Sequence, residues 1–110
     1  MNIIQNSSNF FIGTDIIEVE RIKDSIIKNG HTFLDRLYTP IEQKYCTKNK
    51  NSYIHFAGRF AAKEAIIKSL KSSGYKKQIP FKSIEIISLE NGEPKVKLHF
   101  KQTRLKFDFI

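Results

Sequence analysis

The run Phe56-Ala57-Gly58-Arg59-Phe60-Ala61-Ala62-Lys63-Glu64-Ala65-Ile66-Ile67-Lys68 constrains the fold more than any other part of the chain. It lies in a segment, Tyr53 to Leu70, that reads as one long helix between the polar loop Lys48 to Ser52 and the stop signal Ser72-Ser73-Gly74. At 3.6 residues per turn, Phe56, Phe60, Ile67 and Leu70 fall on a core stripe, and Ala57, Ala61, Glu64 and Lys68 fall on the adjacent one. Methyl groups line the second stripe, so a ligand can approach the backbone closely, with one carboxylate and one ammonium a turn apart. The same spacing also suits a plain exposed ion pair at i,i+4, worth about a few tenths of a kcal/mol.

Other elements follow from local signals. Phe10 to Val19, rich in β-branched and aromatic residues, predicts a strand with Asp15 inside it. From Glu20 the period changes: Val19, Ile22, Ile26 and Ile27 recur at helical steps, and Asn29-Gly30 stops a short basic helix carrying Arg21, Lys23 and Lys28. Phe33 to Leu37 predicts a further helical turn or two. Thr39-Pro40-Ile41-Glu42 is a capping box opening the next helix, with Thr39 as the cap. Phe81 to Leu89 and Lys95 to Phe107 alternate as two strands joined at Asn91-Gly92. The sum is an α+β fold, a single small domain over residues 1 to 110 with antiparallel strands packed on helices.

A chain of 110 residues with 40% hydrophobic content can bury one modest core, so oligomerisation is a natural way to cover leftover apolar surface. The net charge of +8 favours polyanionic partners without choosing among nucleic acid, anionic lipid, a phosphorylated cofactor and an acidic protein. The single Cys46 excludes an internal disulfide and fits a reduced compartment. No signal peptide is evident, and no stretch approaches the roughly 18 apolar residues that span a bilayer. A cytoplasmic protein without a membrane partner is expected.

Asp15 carries the chemical argument. A carboxylate in an apolar strand costs several kcal/mol unless it is paired or binds a metal. Together with Glu64 it would make an oxygen-ligand site suited to Mg²⁺, which takes one or two carboxylates and completes its shell with water and phosphate oxygens.

Gly13-Thr14-Asp15-Ile16, Arg21-Ile22, Phe33-x-x-Arg36, Thr39-x-x-Glu42, FAGRFAAKEAIIK and Asn91-Gly92-Glu93-Pro94 are similar, in order and spacing, to the holo-acyl-carrier-protein synthases of the phosphopantetheinyl transferase family. The likeness covers roughly residues 11 to 98, and FAGRFAAKEA is its most specific string. The resemblance implies transfer of 4′-phosphopantetheine from coenzyme A to a serine of an apo-acyl carrier protein, in fatty acid biosynthesis. It places Mg²⁺ on Asp15 and Glu64, and puts Arg59, Lys63 and Lys68 against coenzyme A phosphates. Asn91, Gly92 and Pro94 fall at the nucleotide end, and Arg21 and Arg36 dock the acidic carrier. It further implies a homotrimer with active sites between subunits. Catalysis would rest on Asp15, Glu64 and Lys68, with the serine proton taken by Glu64 or a metal-bound hydroxide.

Two departures stand out. The family's C-terminal helix and its strand with a Ser-x-Ser-His signature have no counterpart here; His99 lacks the flanking serines and reads as a strand histidine facing solvent. Lys71 stands where the family's Gly-Thr-Gly turn begins. His31 and His55 have no partner at metal-ligand spacing. A small basic nucleic-acid-binding module, suggested by charge and by Lys/Phe interleaving in Lys95 to Phe109, has no recognisable reading helix, RNP strand or zinc pattern. No nucleic-acid partner is expected. A non-catalytic carrier-protein binder is the other alternative.

Overall fold

The computed structural model describes residues 16–100. Four helices precede one hairpin: α1 (Ile16–Asn29), α2 (His31–Leu37), α3 (Pro40–Thr47) and α4 (Ser52–Ser72), then a 3-10 turn (Phe81–Ser83), β1 (Ile84–Ser88) and β2 (Pro94–Leu98). The strands pair antiparallel, with Ile84 opposite Leu98 and Ser88 opposite Pro94, which bears out the α+β reading.

The strand expected over Phe10 to Val19 is corrected where it can be seen. Ile16 to Val19 form the first turn of α1, and residues 10–15 lie outside the described residues. The helical period wins over β-branching: Val19, Ile22 and Ile26 make one stripe against the core, and Ile16 and Ile17 are left exposed. Glu18 in that first turn suits the helix dipole and accepts a bond from Arg21 at 3.1 Å. The second correction is at Phe81. The strand expected from there begins only at Ile84, because Ser83 folds back on Pro80, its amide and hydroxyl both donating to the Pro80 carbonyl. Beyond Phe100 the predicted partner strand lies outside the described residues.

The capping box forms as read, with Thr39 Oγ1 accepting from the Glu42 amide and Glu42 Oε1 accepting from the Thr39 amide. α4 ends in a Schellman arrangement: the Tyr75 amide donates to Leu70 O and the Gly74 amide to Lys71 O, each at 3.1 Å, with Gly74 at φ 105°, a conformation that favours glycine.

α4 packs against α1, α3 and β1. Around its first half, Ile22, Leu34, Tyr38, Cys46, Phe56 and Ala57 form one buried cluster; around its second half, Leu70, Ile79 and Ile84 form another. Tyr38, fully buried, donates its hydroxyl to Phe56 O at 2.8 Å, tying the start of α3 to α4. Of the core stripe expected on α4, Phe56 and Leu70 are buried, while Phe60 and Ile67 are only partly so. The positions between them that complete the buried stripe are Arg59 and Lys63.

Candidate active site on the long helix

The 3- and 4-residue steps from Phe56 to Arg59 to Lys63 put two cations on the inward face of α4, and the structure satisfies Lys63 from three sides. Lys63 Nζ donates to Glu42 Oε1 at 2.7 Å, Leu37 O at 2.6 Å and Phe81 O at 3.2 Å, which uses all three ammonium protons. Neither side chain of the Lys63–Glu42 pair has solvent contact. Burial pushes the Lys63 ammonium below the usual lysine range, with Glu42 pulling the other way. Lys63, expected among the coenzyme A contacts, is therefore turned inward. Its burial has a geometric consequence: Glu64, one residue on and about 100° further round the helix, must face out.

Arg59 is 1% exposed. Its Nε donates to Ile86 O and its Nη2 to Ser88 Oγ, both at 3.2 Å, and the guanidinium lies 4.5 Å from the Tyr45 ring centre. Nη1 is buried and has no hydrogen-bond acceptor among the described residues. The guanidinium borders a cavity of about 340 Å³ whose wall also includes Lys44, Tyr45, Lys48 and Ser88. A guanidinium, two ammonium groups and a hydroxyl form a donor set suited to a phosphate, with Ile41, Ile86 and Ile87 completing the wall. Cys46 lies behind this wall, its thiol pushed up to about 12 by burial although Arg59 opposes the shift, so it is no nucleophile at neutral pH.

Glu64 and Lys68 are both exposed. The ion pair their spacing allows does not form; among the described residues the ion pairs are Glu18–Arg21, Glu42–Lys63 and Glu85–His99. Glu64 thus presents an unengaged carboxylate, a suitable ligand for a hard cation. Asp15 lies outside the described residues, immediately before α1, and α1 packs on α4. No group of three His, Cys, Asp or Glu side chains that could hold a metal occurs among the described residues.

Asn91 and Gly92 shape the hairpin turn. Asn91 Oδ1 accepts from the Glu93 amide at 3.0 Å, and Gly92 sits at φ 88°. Pro94 starts β2, exposed. The turn follows Ser88, so Arg59 grips the strand that carries it. Arg21 and Arg36 are exposed on α1 and α2.

Sequence reasoning missed Glu85 and His99. Glu85 is 5% exposed, accepts from the Thr39 hydroxyl through Oε2, and has His99 Nε2 at 3.0 Å from Oε1. His99 is half exposed as expected, but it is bonded rather than merely solvated.

The sequence profile of the 4′-phosphopantetheinyl transferase superfamily matches residues 11–110. The chain belongs to this superfamily. Among its relatives, the holo-[acyl-carrier-protein] synthase of Protochlamydia amoebophila is 46% identical over 86% of this chain and 76% of its own length. That of Halothermothrix orenii is 48% identical over 86% of this chain and 74% of its own. The fatty acid synthase subunit alpha of Schizosaccharomyces pombe is 43% identical over 84% of this chain, a stretch that makes up 5% of that protein. No solved structure gives a significant match.

Proposed function

We propose that this phosphopantetheinyl transferase moves 4′-phosphopantetheine from coenzyme A to a serine hydroxyl of an apo-acyl carrier protein, in fatty acid biosynthesis. The supporting observation is identity of 46% and 48% to two holo-[acyl-carrier-protein] synthases over 86% of the chain. The serine oxygen forms a bond to the β-phosphorus, the bond to the bridging oxygen breaks, and adenosine 3′,5′-bisphosphate leaves with the electron pair.

Asp15 and Glu64 would hold Mg²⁺. When bound, the metal supplies positive charge to pyrophosphate oxygens as negative charge grows on them. Glu64 is the one acid in α4, and its outward setting suits it to accept the serine proton. Lys68, one turn on, meets the leaving adenosine 3′,5′-bisphosphate, and Arg59 with Lys44 and Lys48 lines a cavity that would take a phosphate. Asn91, Gly92 and Pro94 border the nucleotide end. Lys68→Ala is expected to weaken coenzyme A by about 1.5–3 kcal/mol, one charge-assisted contact. Calorimetric titration showing unchanged affinity returns Lys68 to an ordinary surface lysine.

The carrier docks on α1 and α2. Arg21 is 69% exposed, Lys28 lies in the last turn of α1, and Arg36 lies in the last turn of α2. Arg21→Glu is expected to raise the Michaelis constant for the carrier and flatten its dependence on salt, leaving that for coenzyme A nearly unchanged. Equal effects on both substrates contradict this assignment.

A homotrimer is supported by apolar side chains left in the open, including Ile16 and Ile17 at the start of α1 and Leu89 and Val96 in the hairpin. The free, buried Cys46 suits the cytoplasm. Among the described residues no helix is long and apolar enough to cross a membrane. The activity is tested by following release of adenosine 3′,5′-bisphosphate from coenzyme A with and without apo-carrier. Release that requires the carrier supports the reading; release at the same rate without it indicates hydrolysis.

A further inference from the structure

Glu85 and His99 take no part in the chemistry above, yet they close a hydrogen-bonded chain that ends beside Glu64. His99 Nε2 lies 3.0 Å from Glu85 Oε1. Glu85 Oε2 accepts from the Thr39 hydroxyl, and that same oxygen of Thr39 accepts from the Glu42 amide. Glu42 in turn accepts from Lys63 through Oε1 and from the Ile86 amide through Oε2, each at 2.7 Å. β1 thus holds the first turn of α3 from two consecutive residues, Glu85 and Ile86, and that turn holds Lys63.

The charges make His99 the consequential member. Two buried carboxylates, Glu42 and Glu85, are matched in number by two buried cations, Lys63 and Arg59, but neither cation gives Glu85 a hydrogen bond. Lys97 stands opposite Glu85 in the sheet register but does not come within ion-pair distance. Among the described residues, His99 is the one basic side chain that does. Burial pushes the Glu85 carboxyl up, and the Thr39 hydroxyl with His99 outweighs it, leaving the group below the usual carboxylate range. A carboxylate accepts only, so Nε2 carries the proton in this contact. The backbone of His99 is held in place because its amide donates to Ser83 O at 2.8 Å.

We infer that His99 is a positioning residue for the outward carboxylate of α4: it anchors Glu85 on Thr39, and through Glu42 and Lys63 fixes the turn that presents Glu64. Its role in turnover rests on the transferase reading; its role in the network does not. His99 is half exposed, so its replacement leaves the core intact.

The test uses the full chain with His99→Ala and His99→Gln, the glutamine amide offering an N–H where Nε2 was. Thr39 and Glu42 amide resonances and their hydrogen exchange are measured alongside kcat and KM. In His99→Ala the Thr39 and Glu42 amides shift and exchange faster, and kcat falls about 10-fold, the low end for losing an outer partner of a ligand set, with KM for coenzyme A unchanged. His99→Gln restores both readouts. Wild-type amide signals in His99→Ala, or equal impairment in the two variants, overturns the assignment. If the wild-type chain transfers nothing, the transferase reading fails and the amide readout alone decides the role of His99.

Discussion

Glu64→Ala is expected to lower phosphopantetheine transfer by roughly 100- to 1000-fold, the usual cost of removing a group that stabilises developing charge, and to leave thermal stability unchanged. The two parts of this expectation have separate grounds. Glu64 is exposed and makes no hydrogen bond or ion pair among the described residues, so the fold loses nothing with it. Its place is nevertheless fixed, because Lys63 beside it has no freedom to turn. Asp15→Ala is expected to match it in activity, with the deficit of each variant partly relieved by raised Mg²⁺. Steady-state rates across a Mg²⁺ series check this. A Glu64→Ala protein with the wild-type rate removes Glu64 from the site.

Lys63→Met gives the opposite profile, a loss of stability of about 3–5 kcal/mol from leaving the Glu42 carboxylate buried without its cation. For a domain of this size each kcal/mol is worth roughly 4–8 °C, so the melting temperature should fall by about 12–40 °C. The double variant Glu42→Gln/Lys63→Met should recover part of the loss, since it removes the stranded charge, and the recovery stays partial because the glutamine keeps one acceptor oxygen for the two amides, Thr39 and Ile86, that Glu42 serves. Calorimetric melting of the three proteins decides it. If Lys63→Met melts with the wild type and only coenzyme A affinity drops, Lys63 belongs to the ligand surface and the inward assignment is wrong.

These contrasting expectations for neighbouring residues mark how far the sequence could be read. The capping box, the long helix and the Asn91-Gly92 hairpin were legible because each rests on a few adjacent residues with their own geometry. The inward stripe of α4 was not. Its steps from Phe56 to Arg59, Lys63 and Leu70 are as helical as those of the apolar stripe, but a charged residue is read as facing water unless its partners are known. Those partners are distant: Glu42 lies 21 residues from Lys63, and Ile86 O lies 27 from Arg59. Val19 to Ile27 carried a clear helical period, yet Ile16 and Ile17 were assigned by composition to a strand, because their exposure depends on where α1 lies on α4. Glu85 and His99 were hidden for a similar reason, since an alternating strand places Glu85 by parity and says nothing of a histidine across the hairpin.

The central claim, carrier modification by this chain, is tested most directly by intact-mass spectrometry of an apo-acyl carrier protein incubated with the protein, coenzyme A and Mg²⁺. The account predicts a phosphopantetheine adduct on the carrier's serine that forms with the wild type and forms roughly 100- to 1000-fold more slowly with Glu64→Ala. A carrier that binds the protein yet stays unmodified at every Mg²⁺ and coenzyme A concentration contradicts it.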